Sequence, residues 1–410
     1  MKTRFERPRY QALLERYRDT EFIKVLKGIR RCGKSTLLDL FADGLRAQGV
    51  PERNLFRKRF DEFGLPLNLN AEDLQEEIAK ALAMADGAQT FYVFLDEVQM
   101  VPGWERVVRG LHTRPGVDVY ITGSNAYLLS SDLATLLSGR YVELDVYPLS
   151  FREYRSFCAQ AGRAALGQEE LLSEYLRYGG MPSLFALKDP LEEDVARELS
   201  GIYNTVILND VAQRFQIRDY ALLEKLVTYV FSTSGNLFSV KSIVNYLRSS
   251  GVKVSYETID GYLYALEQAL ILYGVVQDGL QGKELLRPQR KLYPVDTGLR
   301  NLAIGFAMRD VGFQLENAVF VELLRRGYRV SVGVVGAAEV DFVARRRDER
   351  LYVQVSDALT AETTLERELS ALRAVHDAYP KYLVTTDRLH VGTTEDGIRI
   401  VNVADWLLEA

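Results

Sequence analysis

The chain has 410 residues, and at roughly 150 residues per domain this sets an expectation of two to four domains. Hydrophobic residues make up 47 % and charged residues 26 %, a globular balance that excludes disorder, collagen-like fibre and a disulfide scaffold. Lys and Arg number 51 against 56 Asp and Glu, a net charge of −5, so no global basic field points to nucleic acid and any DNA contact needs a local patch.

Two cysteines, Cys32 and Cys158, supply no disulfide framework. The charged opening from Met1 to Tyr10 lacks the apolar core of a secretory signal. The richest apolar run, Leu270 to Val276, falls far short of the ~18–20 residues that span a bilayer. The expectation is a cytoplasmic chain with no membrane partner.

From residue 20 to about 150, short apolar runs alternate with helical patterns. Strands are expected at 22–26, 54–60, 91–95, 117–122 and 141–147, and helices at 34–48, 72–85, 104–111 and after Ala126. Such alternation specifies an α/β fold with a parallel sheet covered on both faces. Residues 150–220 read as helical, broken by a tight turn at Gly179-Gly180-Met181-Pro182. Helices at 221–231, 239–247 and 256–270, followed by apolar runs at 274–277 and 285–293, give the plan of a winged helix-turn-helix. Beyond Phe313, a helix at 315–325 precedes strands at 328–332, 339–344 and 351–356. A helix at 365–379, a strand at 381–385 and a segment near 398–406 complete a small α/β domain.

Gly28-Ile29-Arg30-Arg31-Cys32-Gly33-Lys34-Ser35, with Thr36 following, fits the phosphate-loop pattern G-x4-G-K-[ST] between a strand and a helix. Backbone N–H groups of such a loop wrap a phosphate chain, Lys34 reaches the β/γ-phosphates, and the Ser35 hydroxyl holds Mg²⁺. Asp96-Glu97 closes a buried strand, which delivers its C-terminal residues to the ligand crevice. Asp96 is expected to serve Mg²⁺ and Glu97 to polarise the attacking water; two adjacent acids point to hydrolysis rather than binding alone. Thr122-Gly123-Ser124-Asn125 ends the next strand, with Asn125 the better candidate for a contact to the γ-phosphate or the water, against a plain turn. Arg140, before the last strand, is either a charge for the leaving phosphate or a surface arginine. Arg30 and Arg31 inside the loop are expected to touch either phosphate or a neighbour.

With these motifs stand Leu95-Asp96-Glu97-Val98-Gln99, Leu137-Ser138-Gly139-Arg140-Tyr141, Pro148-Leu149-Ser150-Phe151-Arg152-Glu153-Tyr154, Tyr178-Gly179-Gly180-Met181-Pro182 and Leu315-Glu316-Asn317. Together they make residues 20 to about 400 resemble a family of bacterial and archaeal AAA-type ATPases whose C-terminal half is a domain of unknown function. The resemblance implies ATP binding with Mg²⁺, a sensor at Asn125, and an arginine acting in cis or in trans at Arg140. The expected division is a P-loop AAA-type ATPase domain (1–150), a helical lid (151–220), a winged helix-turn-helix (221–295) and a restriction-endonuclease-like domain (296–410).

Within the winged-helix region the basic residues gather at the expected wing, Lys283, Arg287, Arg290 and Lys291, where phosphate contact is expected. The expected recognition helix carries Glu257, Asp260 and Glu267 and no base, which suits protein docking equally well. In the last domain Glu316, Glu339-x-Asp341 and Gln354-Val355-Ser356 resemble a restriction-endonuclease site, but Ser356 stands where that pattern has lysine and Gln354 where it has an acid. Nuclease activity is therefore not expected, and the acids are left as a structural network or a weak metal site. Arg345-Arg346-Arg347 beside them is a DNA contact or a solvated hairpin. The expected function is Mg²⁺-dependent ATP hydrolysis coupled to binding or remodelling of duplex or branched DNA through residues 241–291 and the C-terminal domain, in a possible homo-oligomer. The alternative is a nucleotide-switched signalling or assembly protein that binds protein.

Overall fold

The computed structural model describes residues 5–64, 69–123, 137, 139–163, 166–188, 190–279, 289–306, 311–335, 338–359 and 362–409. The chain divides into two compact units, Met1–Tyr147 and Pro148–Ala410.

In the first unit, β1 (Ile23–Lys27), β2 (Leu55–Arg59), β3 (Phe91–Asp96), β4 (Val117–Thr122) and β5 (Tyr141–Asp145) form one wholly parallel sheet in the order β2-β3-β4-β1-β5. Helices α1 (Pro8–Tyr17), α2 (Lys34–Ala47), α3 (Ala71–Ala83) and α4 (Trp104–His112) accompany it. Every residue of β3 is buried, as a strand covered on both faces requires. On one face Val93, Leu95 and Ile121 pack with Leu74, Ile78, Trp104 and Val107. Elsewhere in the core, Phe41 of α2 meets Phe94 and Tyr120, whose rings stack at 5.0 Å. Asn70 starts α3 with a reciprocal cap to Asp73, satisfying N–H groups that the first helical turn leaves over. The helix expected after Ala126 lies outside the described residues.

The second unit opens with α5 (Phe151–Gln160), α6 (Gln168–Tyr178) and α7 (Glu192–Thr205), the last continuing into a π-helical segment, Val206–Gln213. Then come α8 (Tyr220–Ser232), α9 (Val240–Ser249), α10 (Tyr256–Gln268) and the antiparallel pair β6 (Leu272–Val276) and β7 (Arg290–Pro294). After α11 (Thr297–Ile304) and α12 (Val311–Arg325), strands β8 (Arg329–Val335), β9 (Ala338–Arg346) and β10 (Glu349–Ser356) form an antiparallel meander. Helix α13 (Glu362–Arg373) leads to β11 (Lys381–Thr385), which pairs parallel to β10. Strands β12 (Gly392–Thr393) and β13 (Arg399–Asn402) extend the sheet, and α14 (Val403–Leu408) closes the unit.

The glycine-rich turn after α6 is a packing device. Gly180 N–H donates to Asp296 Oδ2 at 2.7 Å, while Asp296 Oδ1 caps α11 through Leu299 N–H. Gly179 has φ +77°, and a Cβ there would lie 2.1 Å from the same carboxylate. A Cβ on Gly298 would lie 2.0 Å from the Tyr178 carbonyl oxygen. Among the described residues, no helix is long and apolar enough to cross a membrane.

Candidate active site

The phosphate-loop residues follow β1, a central strand, and lead straight into α2. Gly33 has φ +104° and Arg31 φ +65°, so the backbone curls before the helix begins. The Leu37 N–H already reaches the Gly33 carbonyl. At Gly28 a Cβ would lie 2.0 Å from the Val146 carbonyl oxygen; only glycine lets the loop lie against the end of β5. Lys34 is buried, and its Nζ donates to the carbonyls of Gly28 at 2.8 Å and Ile29 at 3.3 Å. Ser35 and Thr36 occupy the first turn of α2, half-buried.

Arg7 braces this loop from outside the motif. It is 3 % exposed and donates to the carbonyls of Cys32 and Tyr147, each at 3.0 Å, with its guanidinium 4.3 Å from the Tyr10 ring centre. Burial pushes the Cys32 thiol up, so it stays protonated and inert.

Two strands over from β1, Asp96 ends β3, buried. Thr122 ends the intervening β4 and ties the acids together: its hydroxyl donates to Asp96 Oδ1 and accepts the Glu97 N–H at 3.2 Å. Asp96 Oδ2 is buried and makes no hydrogen bond; the nearby charge is Arg59 Nε at 3.3 Å. A buried carboxylate oxygen in that state fits a metal-facing role, so the residues present suit Mg²⁺. Glu97 holds φ +57°, uncommon for a residue with a side chain, and its carboxylate accepts from the Gln99 amide at 2.5 Å.

Residues 20–155 match the family described as an AAA domain, and residues 169–310 match a domain of unknown function. An uncharacterized protein of Haemophilus influenzae is 40 % identical over 408 residues, covering 100 % of both chains. One from Methanocaldococcus jannaschii is 30 % identical over 367 residues, covering 87 % of this chain and 79 % of the other. The chain belongs to this AAA-type ATPase family. A Walker-type ATPase of Pyrococcus abyssi has a similar fold, with TM-score 0.52 at 16 % identity over 73 % of this chain and 96 % of that one.

Within the AAA domain, the loop Gly28 to Thr36 and the Asp96-Glu97 pair both follow the C-terminal ends of strands of the parallel sheet, the edge where open α/β sheets bind ligands. Arg140 is not brought there. It precedes β5 and its carbonyl accepts the Ile23 N–H, which puts it at the opposite edge, one strand length of about 16 Å away. Its side chain is exposed. Asn125 and Ser138 lie outside the described residues. Local sequence patterns assign no role to Arg7, Arg59 or Thr122. Thr122 belongs to the Thr122–Asn125 motif, whose pattern singles out Asn125, and Arg59 becomes visible only once β2 is paired with β3, which sets it opposite Asp96.

In the second unit two of the expected wing contacts are corrected. Arg290 donates twice to Glu267 at 3.1 Å, and Lys291 is 3 % exposed among Glu316, Glu339 and Asp341. As neighbours on one strand they face opposite sides, and on each side they are taken up by carboxylates of the chain itself; Lys283 and Arg287 lie outside the described residues. Of the arginine cluster, Arg345 pairs with Asp278 at 2.7 Å and Arg346 with Glu349 at 2.7 Å, and Arg347 turns the hairpin at φ +52°.

Proposed function

We propose that the chain is a Mg²⁺-dependent ATPase that couples turnover to DNA. The observation that carries the first half is the buried Asp96, tied to Thr122 and leaving one oxygen without a hydrogen bond beside the phosphate loop. Loop N–H groups from Gly28 to Lys34 cradle the phosphate chain, and Lys34 exchanges two carbonyls for phosphate oxygens. Ser35 and Asp96 are the residues that would hold Mg²⁺, which supplies Lewis-acid polarisation of the γ-phosphate. Glu97 accepts the proton of the attacking water as its oxygen bonds to the γ-phosphorus and the bridging bond to ADP breaks. Arg140, at the far edge of its own sheet, suits a neighbouring subunit's phosphate better than its own.

The DNA half rests on a local patch. No acid occurs from Lys225 to Tyr256. On α9, Lys241, Asn245 and Arg248 share one face at helical spacing and are exposed, with Tyr246 67 % exposed beside them and Lys253 following. Cations, an amide and an aromatic on one solvent face suit a phosphate backbone. The element order α-β-β-β-α-β from α12 to β11 resembles a restriction-endonuclease core, and helices α8 to α10 with the β6–β7 pair resemble a winged helix. The second reading, docking to protein, is favoured by the pairing of Arg290, Lys291 and Arg345 with the chain's own acids and by the acids of α10. Retention on duplex DNA across a salt series separates the two: a phosphate binder loses affinity steeply as salt rises, a protein-docking module shows no retention at any salt.

A further inference from the structure

Lys291 lies on β7 in the second unit, whereas the nucleotide motifs belong to the first. Its Nζ stands 3.0 Å from Glu316 Oε1, 2.9 Å from Glu339 Oε1 and 3.2 Å from Asp341 Oδ1. These are the three acids that the nuclease-like pattern would gather around a metal ion. Helix α12 contributes Glu316 and β9 contributes the other two, so one ammonium is the meeting point of three carboxylates from two elements.

The rest of the pocket is organised around this arrangement. Tyr293 O–H donates to Glu316 Oε1 at 2.6 Å, and the Val355 N–H donates to Asp341 Oδ2 at 3.0 Å. Gln354, in place of an acid, accepts the Asp341 N–H at 3.1 Å and donates to Glu368 at 2.9 Å. Ser356 stands where the pattern has its lysine, so the cationic group arrives from another strand. Burial alone would lower the Lys291 pKa, but the charges of Asp341, Glu316 and Glu339 outweigh it and hold the ammonium above its ordinary range.

Separations near 3 Å are those of ammonium–carboxylate hydrogen bonds, whereas Mg²⁺ binds oxygen at about 2.0–2.1 Å and Ca²⁺ at about 2.3–2.6 Å. Among the described residues no group of acids, histidines or cysteines has a metal-holding arrangement. A divalent ion beside a buried ammonium would face like charge at contact distance. The residues present therefore do not fit the metal that the nuclease-like pattern implies.

We infer that the Glu316–Glu339–Asp341 pocket is a cation site closed by the chain's own Lys291, and that removing this side chain opens it to a hard divalent cation. The side chain of Glu339, 40 % exposed, marks the solvent side by which an ion would enter. The domain accordingly keeps its fold without metal and does not cleave nucleic acid.

The test uses the full chain, free of nucleotide, with Asp96→Asn throughout to remove the metal position of the phosphate loop. Mn²⁺ is the probe, read by electron paramagnetic resonance of the free ion and by calorimetry. The Asp96→Asn chain should bind no Mn²⁺ at about 1 mM, the weak end of oxygen-ligand cation sites. Adding Lys291→Ala should create one site, and Glu316→Gln on top of it should remove that site. A parent chain that binds one Mn²⁺ ion, lost on Glu316→Gln, would overturn the proposal whatever the fate of the lysine variant. So would a folded Lys291→Ala chain that binds none. Should Lys291→Ala unfold, recovery of its native circular dichroism on adding Mn²⁺ supports the proposal, and a chain that stays unfolded at every Mn²⁺ concentration contradicts it.

Discussion

Arg59 Nε lies 3.3 Å from Asp96 Oδ2, the two residues standing opposite each other at the ends of parallel strands β2 and β3. The guanidinium also faces Asp61 and Glu62, and burial, which alone would lower its pKa, is outweighed by these acids. With Mg²⁺ at Asp96, as proposed, Arg59 would compete with it for the one Asp96 oxygen that makes no hydrogen bond. A partly exposed pair of this kind is worth about 1 kcal/mol. Arg59→Ala should lower the Mg²⁺ concentration for half-maximal ATP turnover about fivefold, as a Mg²⁺ titration at saturating ATP would show. An unchanged or raised midpoint would remove Arg59 from the site.

Lys34→Ala should abolish binding of a fluorescent ATP analogue. Thr122→Val should keep binding but cut turnover, because the hydroxyl that joins Asp96 to the Glu97 backbone is gone. A loss of about tenfold or more in kcat with little change in KM is expected, since the acids are misplaced rather than the loop. A rise in KM alone would place Thr122 in ground-state binding instead.

Arg140 makes a prediction through its position. If it serves a neighbour, Arg140→Ala and Lys34→Ala chains should each be inactive, and mixing them should restore part of the activity. Mixed assemblies that stay inactive would favour a role within its own subunit, and an Arg140→Ala chain that keeps full activity would leave Arg140 as a surface residue.

Asp296 links pH to stability. Burial raises its carboxyl to about 6, against the N–H donors of Gly180, Leu299 and Gly298 that favour the charged form. A pKa raised on folding means the native state holds the proton more tightly than the unfolded chain, so its contribution is complete below about pH 4 and is lost as pH rises through about 6. Two pKa units correspond to about 3 kcal/mol. Asp296→Asn keeps an acceptor for the amides and cannot ionise. Its Tm should therefore gain on the natural chain between about pH 4 and 6, and a constant gap would exclude a titrating Asp296.

These residues mark how far the sequence is legible. The phosphate loop and the strand ahead of Asp96 are local patterns, and β4 and β11 fall at 117–122 and 381–385 as expected because their apolar runs have sharp ends. Helix α1 carries no readable signal because only Tyr10 and Leu14 of its residues are buried, too few to set a period. The helix expected to run to 379 stops at Arg373: Asp377 instead accepts from the Tyr352 hydroxyl and the Tyr379 N–H, and its carbonyl from Lys381, holding the approach to Pro380 in an irregular turn. Lys291 reads as a wing cation because its partners Glu316 and Asp341 stand 25 and 50 residues away in sequence. Sequence distance likewise hides Asp296 behind the glycine turn, 116 residues from Gly180.

The patch on α9 is testable by salt dependence. Lys241→Ala with Arg248→Ala should reduce the slope of log affinity against log salt by about 2, close to one unit for each phosphate that is no longer neutralised. An unchanged slope would move the DNA contact elsewhere or support the protein-docking reading.

The measurement that bears most directly on the central claim is steady-state ATP hydrolysis with Mg²⁺, without DNA and with single-stranded, duplex and four-way-junction DNA, using Glu97→Gln as the blank. The account predicts turnover in the natural chain that at least one DNA form raises, and none in Glu97→Gln although it still binds ATP. Equal turnover in the two chains would contradict the assignment of Asp96 and Glu97 as the hydrolytic pair.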